Sequence, residues 1–128
     1  MKTILVDAVD CFVDREGNIF EEMHKILDVF PNRKIILTGA NDEQMIKFGL
    51  NNMPYEVFTL KHDPEKTESK YYTIMLDNFK LKPEDVIYFE HSMEAVKSAQ
   101  SVGINTFYYD NDKKELELLR MFISENLK

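Results

Sequence analysis

The sequence is short of several features that would place it in particular classes of protein. It has one cysteine in 128 residues, so no internal disulfide can form and a reducing compartment is expected. It has no run of roughly 18 apolar residues, which a membrane-spanning helix would need. The 16 lysines and arginines are outnumbered by 23 acidic residues, and a net charge of −7 disfavours nucleic acid as a partner. We therefore expect a cytoplasmic protein that binds neither nucleic acid nor membranes.

The chain also lacks internal repeats, low-complexity segments and linkers, which predicts a single domain over residues 1–128. Short apolar runs alternate with longer amphipathic stretches along its whole length. The apolar runs predict strands at 3–9, 34–40, 55–60, 86–89 and 106–109. The amphipathic stretches predict helices at 19–30, about 42–50, 64–79, 93–102 and 113–127. This order predicts a three-layer, Rossmann-like α/β domain, in which a parallel five-stranded sheet carries helices on both faces.

Polar residues follow the strands at the places where such a sheet holds its ligands. In an open parallel sheet the ligand site lies at the carboxyl ends of the central strands. Asp7 ends the first predicted strand, Thr38 and Gly39 end the second, and Glu90 and His91 follow the fourth. The sequence therefore predicts a site built from these side chains and from the loop after the third strand.

In this order and spacing the motifs resemble those of the haloacid dehalogenase (HAD) superfamily. The stretches VDAVDCFVD and ILTGA are similar to the first and second motifs of that family. The most specific similarity is in LKPEDVIYFEHSMEAVKSAQSVGINTFYYD, residues 81–110. The resemblance covers nearly the whole chain and implies a HAD-like core. Only about thirty residues separate Asp7 from Thr38, so we expect no cap domain.

The resemblance implies phosphohydrolase chemistry. Asp7 matches the nucleophile that forms an aspartyl-phosphate, and Thr38 with Gly39 matches the phosphate-contacting turn. Lys66 matches the lysine that offsets phosphoryl charge, with Lys61 and Lys70 as alternatives. A phosphorylated small molecule or a phosphoprotein would be the partner.

Metal binding is also implied by the resemblance. Asp7, Glu90 and His91 occupy the positions of the family's metal ligands, and Mg²⁺ would be the cofactor of an active site. Imidazole is a poor ligand for Mg²⁺, however, so His91 in place of an acid also allows a site that uses no metal.

A second departure concerns the acid/base. Two residues after the nucleophile the chain has Val9, and the next carboxylate is Asp10. Because side chains alternate along a strand, a shift of one residue turns Asp10 to the other face unless a bulge intervenes. Asp10 is therefore retained as a catalytic candidate that depends on such a bulge.

The sequence allows three functions. The first is a phosphohydrolase that is weakened by the changes at Val9 and His91. The second is an inactive HAD-like binding or regulatory module. The third is a metal-independent hydrolase of the dehalogenase type, because those enzymes also begin this motif with Asp-Ala, as Asp7-Ala8 does here.

Overall fold

The structure, a computed structural model, describes residues 1–127 as five strands and five α-helices in alternation. The strands are β1 (Thr3–Asp7), β2 (Lys34–Thr38), β3 (Glu56–Thr59), β4 (Val86–Glu90) and β5 (Asn105–Tyr108). The helices are α1 (Glu21–Val29), α2 (Asp42–Lys47), α3 (Ser69–Phe79), α4 (Met93–Ser101) and α5 (Leu116–Asn126), with a 3₁₀ turn at Pro83–Asp85.

All strand pairs of the sheet are parallel, in the order β3-β2-β1-β4-β5. The chain fills one side of β1 first and then crosses to the other side with β4. The strand order therefore reverses between β1 and β4, which is the point where open α/β sheets hold their ligands. The predicted fold class is confirmed, and within residues 1–127 no connection between strands holds an inserted domain.

Two apolar layers enclose the sheet. Ile4 and Val6 of β1 are fully buried in one layer, which also contains residues of α1 and α5. Leu5, which points the opposite way because strand side chains alternate, is buried in the other layer with residues of α3 and α4. Both faces of β1 are therefore buried in apolar layers, and a polar side chain can reach a ligand only where the strand ends.

The strands agree with their predicted ranges to within two residues, whereas the third helix begins later than predicted. The sequence predicted a start at Pro64, but α3 starts at Ser69, and residues 64–68 form turns. In these turns the Glu68 carboxylate accepts the backbone N–H of Glu65 (2.8 Å). The side chain of Lys66 reaches Asp7 at the carboxyl end of β1 instead of lying on a helix surface. A helical period cannot reveal such a tertiary contact.

The last helix is also shorter than predicted at its beginning. It was predicted from residue 113 and begins at Leu116. The side chain of Asp110 accepts the backbone N–H groups of Asp112 (3.0 Å) and Lys113 (3.2 Å), which holds this segment as a turn. Within residues 1–127, no helix combines the length and apolar character needed to cross a membrane.

Candidate functional site

Three strands deliver buried polar side chains to the same edge of the sheet. Asp7 is the last residue of β1, Thr38 of β2 and Glu90 of β4. Their exposed fractions are only 2%, 5% and 1%, respectively. Because β1 pairs with both β2 and β4, these residues are neighbours at the carboxyl edge. The predicted convergence of these side chains is therefore present in the fold.

Lys66 joins the two buried carboxylates. Its Nζ atom lies 2.6 Å from Asp7 Oδ1 and 2.7 Å from Glu90 Oε1. It also donates a hydrogen bond to the carbonyl oxygen of Leu37 (3.2 Å). The two alternative lysines lie elsewhere: Lys61 pairs with Asp42 on the surface (3.1 Å), and Lys70 is an exposed residue of α3. Of the three candidate lysines, Lys66 is thus the one that reaches Asp7.

His91 contacts the opposite side of the same carboxylates. Its Nδ1 atom is hydrogen-bonded to Asp7 Oδ2 and lies 3.2 Å from Glu90 Oε2. Its backbone N–H also donates to Asp7 Oδ2 (3.2 Å). The hydrogen bonds to Asp7 and Glu90 raise the pKa of His91 to about 10, so the ring is an imidazolium at neutral pH.

The buried charges balance one another. Burial, followed by the Glu90 charge, raises the pKa of Asp7, while Lys66 and His91 oppose that rise. Burial would also raise the pKa of Glu90, but Lys66 and His91 outweigh it and hold that pKa well below its usual range. Burial disfavours the charged form of Lys66, yet the two carboxylates raise its pKa well above the ordinary value. Two carboxylates and two cations therefore form a neutral group, which we call the Asp7 quartet: Asp7, Lys66, Glu90 and His91.

Further donors complete the hydrogen bonding of Glu90. The Tyr88 hydroxyl donates to Glu90 Oε1 (2.5 Å), and the backbone N–H of Ser92 donates to Glu90 Oε2 (2.9 Å). Each oxygen of this carboxylate therefore contacts both a cation and a neutral donor of the chain. Such saturation fixes the side chain, and it leaves little capacity for another ligand.

The Asp7 quartet does not fit Mg²⁺, although the sequence predicted Asp7, Glu90 and His91 as the ligands of that ion. Mg²⁺ needs oxygen ligands in an octahedron, but Lys66 and His91 already hold both oxygens of Asp7. A protonated imidazole has no lone pair free for coordination, and two neighbouring cations repel a third.

The donor atoms of Asp7, Cys11 and His91 also lie within 4.8 Å of one another. That set has the donor types of a zinc site. Burial, however, raises the pKa of the Cys11 thiol well above its ordinary value, which disfavours the thiolate form that binds zinc.

Val9, and not Asp10, lines the open cavity beside Asp7. This cavity has a volume of about 220 Å³ and is also lined by Thr38, Gly39 and Lys66. Asp10 lies in a left-handed turn (φ 70°) and faces a second cavity, of about 280 Å³. Its carboxylate pairs with Arg15 (3.2 Å) and lies 3.8 Å from His91 Nε2. His91 therefore stands between Asp10 and Asp7, and a role for Asp10 in proton transfer stays a prediction.

The turn after β2 lies beside the cavity. The Thr38 hydroxyl accepts the backbone N–H of Ala40 (3.1 Å), which closes the turn. Gly39 packs under the His62 ring: a Cβ atom at residue 39 would lie 3.4 Å from His62 Nδ1. The predicted phosphate-binding pair, Thr38 and Gly39, thus lines the cavity that contains Asp7.

Two residues that the sequence did not single out also reach this region. His62 Nδ1 lies 2.7 Å from Glu65 Oε1, and Glu65 lines the Asp7 cavity. The sequence offered a weak signal for this pair: a histidine and a glutamate three residues apart, directly before Lys66.

No sequence-family profile and no curated protein sequence matches this chain. Solved structures do. A HAD family enzyme of Bacteroides thetaiotaomicron, bt-2542, in complex with magnesium and inorganic phosphate, superposes with a TM-score of 0.72 at 13% identity, over 92% of this chain and 98% of that one. A subfamily IA HAD-superfamily hydrolase of Geobacter sulfurreducens superposes with a TM-score of 0.65 at 12% identity, over 85% of this chain and 87% of that one. The described residues therefore have the HAD-like fold that the motifs predicted.

Proposed function

We propose that this protein is a slow, metal-independent phosphohydrolase that acts through an aspartyl-phosphate on Asp7. The observation that carries the proposal is the geometry of the Asp7 quartet. A buried carboxylate at a strand end is flanked on one oxygen by a lysine and on the other by an imidazolium. Such cations stabilise the charge that develops during phosphoryl transfer, which is otherwise the main task of a metal ion.

The step can be written with the groups that the chain provides. Asp7 Oδ1 attacks the phosphorus, the bond from phosphorus to the leaving oxygen breaks, and that oxygen departs with the electron pair. Lys66 contacts Asp7 Oδ1 at rest and moves to a phosphoryl oxygen, while His91 keeps Asp7 Oδ2 oriented. Water then attacks the phosphorus of the aspartyl-phosphate and loses a proton as the bond between phosphorus and Asp7 Oδ1 breaks, which releases phosphate and restores the carboxylate.

The nature of the cavity supports a phosphorylated substrate whose leaving group extends into solvent. Thr38 and Gly39 form one wall of the cavity and Lys66 another. The likeness to an enzyme whose structure holds inorganic phosphate supports the same ligand class. The proposal does not extend to the magnesium of that structure, because His91 and Lys66 occupy the Asp7 oxygens here.

The proposal is tested with para-nitrophenyl phosphate and acetyl phosphate, in EDTA and in excess Mg²⁺. We expect slow phosphate release at equal rates in both conditions, and a phosphorylated protein that mass spectrometry locates on Asp7 after rapid quenching. Asp7→Asn serves as the control that must lose both signals. A rate that rises more than about tenfold with Mg²⁺, or phosphate release that survives in Asp7→Asn, would contradict the proposal.

A second candidate is a non-catalytic phosphate-binding module, favoured by one observation. Both oxygens of Asp7 are hydrogen-bonded to cations of the chain, which lowers their nucleophilicity until Lys66 moves away. Phosphate binding measured by calorimetry, without phosphorylation of Asp7 by either substrate, would favour this candidate over the first.

A further inference from the structure

The Asp7 cavity continues into an adjoining cavity, and Glu65 borders both. The second cavity also has a volume of about 220 Å³. Five residues line both of them: Val9, Thr38, Gly39, Glu65 and Lys66. A leaving group that departs from a phosphoryl group on Asp7 past Val9 therefore has the Glu65 side chain on its path.

Glu65 is half-exposed, so it can reach a bound molecule, and His62 orients it. His62 Nδ1 lies 2.7 Å from Glu65 Oε1. His62 Nε2 lies 2.5 Å from the side-chain oxygen of Gln44, and that oxygen also accepts the backbone N–H of Asn41 (3.0 Å). An amide oxygen only accepts hydrogen bonds, so Nε2 must carry a hydrogen.

These contacts fix the orientation of the His62 ring. With the Nε2 hydrogen directed at Gln44, Nδ1 is the ring atom that faces Glu65 Oε1, and their contact of 2.7 Å holds the carboxyl group in place. Gln44 is itself held in place, because it forms a reciprocal capping box with Asn41 at the start of α2. His62 and Glu65 therefore form a dyad within the loop after β3, and Gln44 of α2 holds it in place.

We infer that Glu65, oriented by His62, is the proton-transfer group that serves the Asp7 centre in place of Val9. The inference rests on the proposed phosphohydrolase function. As the bond between phosphorus and the leaving oxygen breaks, Glu65 gives its proton to that oxygen and becomes a carboxylate. In the second step the carboxylate takes a proton from the attacking water, which restores the acid.

The same loop then carries two successive functions. Lys66 points inwards to Asp7 and Glu90, while Glu65, its neighbour, points to the cavities. The hydrogen bond from the Glu65 backbone N–H to the Glu68 carboxylate holds the turn of residues 65–68, which contains both Glu65 and Lys66. A proton donor and a phosphoryl-contacting cation are thereby placed at adjacent positions of one turn.

The test is the dependence of kcat/KM on the acidity of the leaving group. We compare phenyl phosphate, whose phenolate needs a proton to leave, with para-nitrophenyl phosphate, whose phenolate leaves readily without one. A general acid contributes about 100-fold or more, so Glu65→Gln should lower kcat/KM for phenyl phosphate by about 100-fold. The same variant should change kcat/KM for para-nitrophenyl phosphate by less than about 3-fold. His62→Gln should show the same trend with a smaller loss, because His62 acts only through Glu65.

Glu43→Gln on α2 is the matched control. It removes the same charge from an exposed residue that lines neither cavity, and it should leave both substrates unchanged. An equal loss on both substrates in Glu65→Gln, or no loss on either, would overturn the role of Glu65 while the phosphohydrolase function stands. A wild-type protein that turns over neither substrate and is not phosphorylated on Asp7 would overturn both. Thermal denaturation of each variant shows whether a loss reflects unfolding.

Discussion

The two halves of the site differ in how they hold their charged groups. In the half formed by β1 and β4, Asp7 and Glu90 are almost completely buried and are neutralised by Lys66 and His91. In the half formed by the loop after β3, His62 and Glu65 are partly exposed and share a hydrogen bond. Buried charges must be paired at all times, whereas exposed groups can exchange protons with solvent. In the proposed mechanism the first half holds and attacks the phosphoryl group, and the second half transfers protons.

Replacement of Asp7, the proposed nucleophile, should have the largest effect on activity. Asp7→Asn keeps the size of the side chain but replaces the carboxylate by a neutral amide, which is a far poorer nucleophile, so phosphate release should fall by at least about 1000-fold. Phosphate release from acetyl phosphate is the measurement. Asp10→Asn is the control: because Asp10 lies beyond His91 and pairs with Arg15, we expect a change of less than about 5-fold. A larger loss in Asp10→Asn would move proton transfer back to Asp10.

Lys66 should have the largest effect on stability. Lys66→Met leaves Asp7 and Glu90 buried side by side with one cation fewer, and breaking such a buried pair costs about 3 to 5 kcal/mol. Urea denaturation measures the change in the free energy of unfolding. Lys61→Met removes an exposed lysine whose partner, Asp42, is also exposed, and should cost less than about 1 kcal/mol. Similar costs for the two variants would show that the buried half is not stabilised by its ion pairs.

Replacement of His91 by an acid should convert the site to one that binds Mg²⁺. His91→Asp removes the imidazolium and adds an oxygen ligand beside Asp7 and Glu90. At a Mg²⁺ concentration of about 100 times Kd, the variant should gain about 2.7 kcal/mol of stability, which thermal denaturation detects. Wild-type protein and His91→Asn should show no such gain. A clear stabilisation of the wild type by Mg²⁺ would mean that His91 leaves its place readily.

Stability should also depend on pH. The pKa of His91 is raised from 6.5 to about 10 by its hydrogen bonds to Asp7 and Glu90. A raised pKa in the folded state contributes stability that is fully present below pH 6.5 and is lost as the pH rises through about 10. The difference in unfolding free energy between wild type and His91→Gln should therefore shrink from pH 6.5 towards pH 10. A difference that stays constant over this range would show that His91 is not charged in the folded protein.

Much of the buried half could be predicted from the sequence. The ends of β1, β2 and β4 follow from apolar runs that stop at Asp7, Thr38 and near Glu90, and parallel sheets bring such ends together. Lys66 was the lysine that the resemblance to the HAD superfamily favoured over Lys61 and Lys70, although its helix was predicted to start too early. The residues at the strand ends could be predicted because each lies at a fixed place relative to a strand.

The open half could not be predicted in the same way. His62 and Glu65 had no evident role in the sequence, because their meaning depends on Gln44 from α2 and on the cavity beside Gly39. The direction of Asp10 was equally undetermined, since it depends on the left-handed turn after β1. Contacts between loops from different parts of the chain leave no periodic pattern in the sequence.

The sequence by itself therefore determined the alternation of strands and helices, the HAD-like fold and the strand ends at which polar groups meet. It also determined that Val9 and His91 depart from the expected motif, because those are facts of residue type and position. Only the tertiary structure decided that His91 bonds to Asp7, that Asp10 faces another cavity and that Glu65 borders the space beside Val9. The physical reason is that strand ends follow from local hydrophobicity, whereas the pairing of charges depends on which side chains the folded chain brings within a few ångströms.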